Sequence, residues 1–273
     1  MKYTKLNLSK EKDGDCWVYA LGEKFKQYQE HTHEELEVNI IISGHATYLI
    51  SGKKYHLKEN SHCWLFPNHP HLLLNASVDF KMWVAVFKKS LLQRLVLDGA
   101  DPRLLMESFL GRVVNENVKK ENDQLIPAFE ETNRLSDERA LHNSSIALLC
   151  LKVWKCFESG KKAHSISISV EIQKALQLIQ QKKHLSLDEL SLKLNMSPSN
   201  LSRLFKKEIG LNVSHYKQKV SLEHFMSLWQ NSPDINILKA CLESGFGSYA
   251  QFYRVFSQNF GYGPAEYKRK LRV

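Results

Sequence analysis

Two stretches, LSRLFKKEIGLNVSHYKQK (Leu201–Lys219) and FYRVFSQNFGYGPAEYKRK (Phe252–Lys270), carry the same pattern. At an offset of 51 residues, Arg203, Phe205, Gly210, Tyr216, Lys217 and Lys219 recur as Arg254, Phe256, Gly261, Tyr267, Lys268 and Lys270. Upstream, Ser197 recurs as Ser248 at the same offset. One supersecondary unit is therefore used twice. Each copy reads as helix, tight turn, helix. In the first, Ser186 with Glu189 three residues on is a capping box, and Asn195 suits a left-handed turn. Ser197 before Pro198 then caps a second helix. In the second copy Gly245 makes the turn and Ser248 caps. The units are expected over about residues 186–210 and 237–261.

The faces of the second helix in each unit differ in chemistry. Leu201, Leu204 and Phe205 fall on one side, whereas Ser199, Asn200, Ser202, Arg203 and Lys206 fall largely on the other, with Lys207 beside them. In the second unit Phe252 and Phe256 face inward, leaving Tyr249, Ala250, Gln251, Tyr253 and Arg254 outward. A helix-turn-helix lays this helix in the major groove with its N-terminal residues at the base edges. Arginine pairs with guanine, asparagine and glutamine with adenine, and flanking lysines neutralise phosphates. Together with the capping Ser197 and Ser248, these are the candidate DNA-binding residues. HYKQKVSLEHFMSLWQ (His215–Gln230) reads as one connecting helix. At ~1.5 Å per residue it would be roughly 24 Å long, a spacer able to hold two recognition helices about one DNA turn, ~34 Å, apart.

Charge follows the repeat. From Val170 onward there are 15 Lys and Arg against 8 Asp and Glu, while the residues before it hold 23 against 21. The basic surplus of a chain with net charge +9 thus sits in its C-terminal third and points to a polyanion partner. The 273 residues suit two domains. Five scattered cysteines without a CxxC pair predict reduced thiols in a cytoplasmic protein. No apolar run reaches the ~18 residues of a membrane span, and the first residues lack the apolar core of a secretory signal.

The N-terminal part has another period. From about Trp17 to Lys89, β-branched and aromatic residues alternate with polar ones, as in EVNIIISGHATYLISGKKYHL, broken at Gly44 and Gly52 as hairpins require. Helical spacing follows from about residue 90 to 158. The polar stretch 161–169 reads as a linker, and everything from residue 170 to 273 as helical, with a break at Ser232–Pro233 among others. Within the β region HTHEELE places His31, His33 and Glu37 at one parity, so on an unbroken strand they would share a face. With His71 they would form a three-histidine, one-carboxylate set suited to Fe, Mn, Ni or Zn. His62, His69 and His71 make a further histidine group, read as loop residues. Trp154 and the stripe Ile146–Phe157 read as core or as an interface helix.

LSLDELSLKLNMSPSNLSRLFKKEIGLNVSHY followed by ILKACLESGFGSYAQFYRVFSQNFGYGPAEYKRK resembles the AraC/XylS family of bacterial transcription regulators over about the last 105 residues. That resemblance implies two helix-turn-helix subdomains reading adjacent major-groove segments of promoter DNA. It places base contacts on Ser199, Ser202 and Arg203, and on Tyr249, Ala250, Tyr253 and Arg254. It also implies an activator that touches RNA polymerase. Three places depart from the family pattern: Ser221 and Phe225 stand on the connecting helix where Arg and Ala are usual, and Asn195 stands in the first turn where Gly is common. HTHEELEVNIIISG and FPNHPHLLLN resemble the two cupin motifs, without the glycines expected around the second. The expected fold is therefore α+β and multidomain. A cupin-like β-barrel and following helices (1–160) would bind an effector and form a homodimer, followed by an all-α double helix-turn-helix. The expected effector residues are His31, His33, Glu37, Tyr48, Trp64 and His71. No cofactor is expected; a metal, if one binds, would use His31, His33, Glu37 and His71. The alternative function is a cupin metalloenzyme of isomerase or dioxygenase type with an accessory helical domain.

Overall fold

The computed structural model describes residues 2–3, 6, 8–20, 30–106, 113–116, 119–231 and 235–270. The break expected at Ser232–Pro233 lies outside them. The chain forms two compact units that meet in sequence between Ser167 and Ile168.

The strands of the first unit are, in chain order, β1 (Lys2–Tyr3), β2 (Gly14–Ala20), β3 (His31–Thr32), β4 (Leu36–Ser43), β5 (His45–Ile50) and β6 (Lys53–Lys58). There follow β7 (Ser61–Leu65), β8 (His71–Leu74), β9 (Lys81–Phe87), β10 (Val114–Glu116), β11 (Lys161–Lys162) and β12 (Ser165–Ser167). They form two six-stranded sheets, ordered β1-β3-β8-β5-β6-β12 and β11-β10-β7-β4-β9-β2. Among the described residues the sheets do not close on each other, so the expected barrel is an open pair of sheets. Ser51 (φ 48°) and Gly52 (φ 74°) make the two-residue β5–β6 hairpin, both in the left-handed region that such a turn needs. Gly44 does not make a hairpin. Its partners show why: β4 pairs with β7 and β9, while β5 pairs with β6 and β8, so at Gly44 the chain leaves one sheet for the other. A Cβ there would lie 2.7 Å from the Phe80 backbone, at a φ of 71°.

Strand parity sorts the cores. Ile41, Tyr48, Ile50, Leu57, Cys63, Leu65, Met82, Val84 and Val86 form an apolar cluster from both sheets. The alternate residues Leu36, Val38, Ile40, Trp64, Trp83, Ala85 and Phe87 instead meet the helices α1 (Lys89–Leu97), α2 (Lys119–Arg134) and α3 (Arg139–Ser159). Ile146, Leu149, Cys150, Val153, Trp154 and Phe157 of α3 lie in that second cluster, so the stripe read as core or interface is core. Residues 161–169, expected as a linker, are largely strand: β11 pairs with β10 and β12 with β6. Lys161, Lys162 and the serines read as a polar linker, although Ser165, Ile166, Ser167 and Ile168 alternate polar and apolar residues as a short strand does.

The second unit is helical among its described residues. It comprises α4 (Val170–Gln181), α5 (Leu187–Lys193), α6 (Pro198–Ile209), α7 (Val213–Asn231), α8 (Ile237–Glu243), α9 (Tyr249–Phe260) and α10 (Pro264–Lys270). The connecting helix is α7, three residues longer than its sequence pattern suggested. Leu222, Phe225, Met226 and Trp229 of α7 pack with Ala240 and Cys241 of α8 and with Phe252, Val255 and Phe256 of α9. The departure at Phe225 is thus filled by aromatic packing, with its ring 4.3 Å from that of Phe252 between centroids. No described helix is long and apolar enough to cross a membrane.

Candidate functional site

Each recognition helix is started by the serine that the sequence nominated. Ser197 Oγ accepts from the Asn200 N–H at 3.3 Å and Ser248 Oγ from the Gln251 N–H at 3.2 Å, satisfying donors that a helix N-terminus leaves open. Each helix ends in a left-handed glycine, Gly210 at φ 84° and Gly261 at φ 78°. Burying Leu201, Phe205 and Ile209 on α6, and Phe252, Val255 and Phe256 on α9, turns the opposite faces outward. Ser197, Ser199, Asn200, Arg203, Lys206 and Lys207 are exposed, with Ser202 half-buried. Ser248, Tyr249, Ala250, Tyr253 and Arg254 are exposed as well, with Gln251 half-buried. Tyr249 and Tyr253 stand side by side, their ring centroids 6.3 Å apart. The Tyr253 ring lies against Gly263, where a Cβ would come within 2.7 Å of it.

Gln251 also bonds within its own turn. Its Oε1 accepts from the Gly247 N–H at 3.0 Å, so the side-chain oxygen serves the turn. Asn200 accepts from Arg203 Nη2 at 2.9 Å, one helical turn along the same face.

The second cluster is buried in the N-terminal unit. The strand through HTHEELE is broken: His31 ends up on β3 in one sheet and Glu37 on β4 in the other. His33 lies on the crossing between them. The donor atoms of His33, Glu37 and His71 nevertheless converge within 4.8 Å of one another. His33 Nε2 is 3.0 Å from Glu37 Oε2, and its Nδ1 is 3.1 Å from the Glu35 carbonyl. His71 Nδ1 is 2.9 Å from the His69 carbonyl. Asn39 joins the group, donating to Glu37 Oε1 at 2.8 Å and to the Tyr48 hydroxyl at 3.0 Å. Asn39 was missed in the sequence; its signal is an asparagine two residues beyond Glu37, hence on the same face, inside the apolar run LEVNIII. His31 is half-buried with its ring 4.2 Å from that of His71, but it is not one of the three converging donors, so the set of three histidines and one carboxylate becomes two and one.

Trp64 does not belong to this cluster. On β7 it has the parity of His62, opposite to Cys63 and Leu65, and it packs against Trp154 and Phe157 on the helix side of the sheet. Tyr48 has the inward parity, its ring 6.3 Å from His71. His62 is likewise a buried strand residue, hydrogen-bonded to Asn122 of α2, and no partner of His71. His69 alone of the loop histidines sits near His71, whose charge, after burial, lowers its pKa.

Electrostatics holds the cluster in one protonation pattern. Burial works against the Glu37 carboxylate, yet the His33 hydrogen bond and charge, His71 and Asn39 together bring it down to about 2. Burial also works against His33, but the Glu37 hydrogen bond and the charges of Glu37 and Glu35 carry it above the ordinary histidine value. Burial keeps His71 below that value, Glu37 opposing. Tyr48 is raised well above a normal phenol by burial and by Glu37. The cluster therefore keeps Glu37 as a carboxylate paired with His33 and bonded by Asn39, with the Tyr48 hydroxyl and His71 beside it.

Two family models match the chain: a helix-turn-helix domain over residues 190–270 and an AraC-like ligand binding domain over residues 19–147. The chain belongs to the AraC/XylS family. It is similar to the melibiose operon regulatory protein of Escherichia coli strain K12, at 20% identity over 254 residues, 88% of this chain and 83% of that protein. Similarity to the transcriptional regulatory protein YesN of Bacillus subtilis is higher, 36%, but confined to 78 residues. This stretch is 28% of the chain and spans about a fifth (21%) of YesN. Among solved structures, ToxT from Vibrio cholerae strain SCE256 aligns over 93% of this chain and 94% of that one, at 14% identity and a TM-score of 0.37. As a member of this family the protein is a DNA-binding transcriptional regulator with an effector-binding domain.

Proposed function

We propose that this AraC/XylS regulator is an effector-responsive activator and that Arg203 and Arg254 are its base-reading residues. The observation that carries the reading is the pair of capped helices α6 and α9, each with one arginine exposed at the same position of the repeat. Exposed lysines such as Lys206 and Lys207 supply the phosphate term, which depends on salt. In the N-terminal unit the effector site is the cluster of His33, Glu37, Asn39, Tyr48 and His71, which suits a small polar molecule that both donates and accepts hydrogen bonds. Family membership supports a cytoplasmic homodimer that recruits RNA polymerase and carries out no catalysis. Selection of duplexes from a randomised pool yields the operator. On it, Arg254→Ala weakens binding by ~1–3 kcal/mol and relaxes one base position. Unchanged affinity and footprint overturn the assignment. For the effector site, polyols and amines that raise the melting temperature of the wild type leave Tyr48→Phe with a smaller shift; equal shifts in both place the ligand elsewhere.

A second reading of the same cluster is a divalent cation held by His33, Glu37 and His71. It is favoured by the two Nδ1 atoms, each hydrogen-bonded to a backbone carbonyl, which leaves Nε2 of each ring for a ligand as in metal-binding histidines. Elemental analysis of protein purified without added metal, compared with His71→Ala, tests it. A stoichiometric metal lost in the variant supports the cation, and its absence leaves the organic effector.

A further inference from the structure

The two recognition units share one pattern in sequence, but their turns differ by one residue. Before the turn the offset between copies is 50: α5 begins at Leu187 and α8 at Ile237, with caps at Ser186 and Asn236. The left-handed residues, Asn195 and Gly245, are also 50 apart. So are the hydrogen bonds that close the turns, Met196 N–H to the Ser191 carbonyl at 3.0 Å and Phe246 N–H to the Cys241 carbonyl at 3.4 Å. From the next cap onward, Ser197 against Ser248, the offset is 51. Gly247 is the residue added in the second turn.

An inserted residue brings an extra backbone N–H, and that donor needs a partner. Gln251 supplies it, its Oε1 accepting from the Gly247 N–H at 3.0 Å. The first turn has no such donor between Met196 and the cap. The residue that corresponds to Gln251 is Asn200, and its side-chain oxygen is given to Arg203 instead, at 2.9 Å from Nη2. The Arg254 side chain has no hydrogen bond or ion pair among the described residues, and it stands exposed.

We infer that Asn200 is a positioning residue for base readout, which makes the first unit the stringent reader and the second the permissive one. Resting on the reading of Arg203 above, the inference adds what holds the guanidinium. Arginine carries five N–H donors in a rigid fork, and a bidentate bond to guanine uses two of them. Spending one Nη2 hydrogen on Asn200 leaves an edge of the fork for the base and restricts a side chain that would otherwise lose its freedom on binding. Holding such a side chain in advance corresponds to about 2- to 12-fold in binding. On α9 the loss is taken in full, so Arg254 accommodates base or phosphate with less discrimination.

The experiment selects bound duplexes from a pool with randomised central base pairs, using the full-length chain and sequencing before and after. Wild type, Arg203→Ala, Asn200→Ala, Asn200→Asp, Arg254→Ala and Gln251→Ala are compared. Arg203→Ala erases the preference at one base position. Asn200→Ala lowers the preference at that same position by about 2- to 12-fold without changing the salt dependence, and Asn200→Asp, which keeps an acceptor oxygen, restores it. Gln251→Ala lowers the thermal stability and leaves the base preferences of the first half-site intact. An Asn200→Ala profile identical to wild type, beside an Arg203→Ala profile that has changed, overturns the positioning role alone. A loss at a different base position overturns it too, because Asn200 would then read that base itself. If Arg203→Ala changes nothing, the Arg203 assignment falls, and the role of Asn200 falls with it. Equal preferences at the positions lost in Arg203→Ala and Arg254→Ala overturn the division into stringent and permissive units.

Discussion

In the N-terminal unit Glu37, Asn39, Tyr48 and His71 are buried between strands, and each is bonded to another member of the cluster or to backbone beside it. In the C-terminal unit Arg203 and Arg254 stand exposed on helices whose other faces carry the packing. A buried polar group is coupled to the stability of the fold, because removing one partner leaves another without a bond. An exposed one is not, and substitutions there leave stability within about 0.5 kcal/mol. The first unit can therefore be tuned only together with its fold, whereas the second can change its reading while its scaffold stays fixed.

The largest effect that tests this contrast is on the scaffold of α9. Phe252 is fully buried against Phe225 and Phe256, so Phe252→Ala costs the helical unit about 3–5 kcal/mol. Hydrogen exchange of the α9 amides measures it, with Arg254→Ala beside it as the exposed neighbour. Equal losses in the two variants would break the contrast.

An intermediate effect comes from acid on the β unit. His62 Nε2–H donates to Asn122 Oδ1, whose own amide donates to Asn60, while the buried Nδ1 has no partner among the described residues. Burial pulls His62 down to about 4 from an ordinary 6.5, against the Asn122 hydrogen bond and Glu121. The unfolded chain then takes up a proton that the folded one refuses. This contribution is complete above pH 6.5 and is lost as the pH falls toward 4. About 2 kcal/mol of it should be gone by pH 5. Urea unfolding of wild type and His62→Gln from pH 7 to pH 5 checks the sign; the same slope in both would mean that another group governs it.

The smallest effect compares the two caps. Ser197→Ala and Ser248→Ala each remove one side-chain acceptor at a helix start, about 1 kcal/mol. Exchange protection at the first turn of α6 and of α9 reads each separately. A loss confined to one helix would sharpen the difference between the two turns.

Much of the C-terminal unit was legible because its signals are local. A serine three residues before the N–H that it caps, a glycine at a left-handed position and an apolar stripe at helical spacing all lie within one or two turns of chain. The single residue added at Gly247 escaped because the offset was measured on one side of the turn only. In the N-terminal unit the alternation of β4 and β9 was visible, and so were His33, Glu37 and His71 as candidate partners. The assignment of Trp64 failed since strand parity orders residues within a strand but does not say which face receives the helices.

The sequence by itself determined the two capped recognition helices, the residues they expose and the basic end of the chain, because these follow from spacing along a few turns. Only the tertiary structure decided that the chain changes sheets at Gly44 and between His31 and Glu37, that His31 leaves the cluster while Asn39 joins it, and that residues 161–162 and 165–167 become edge strands. Those outcomes depend on which strands pair across long stretches of chain, and pairing is settled by the burial of whole faces and the satisfaction of backbone donors and acceptors rather than by any local run of residues.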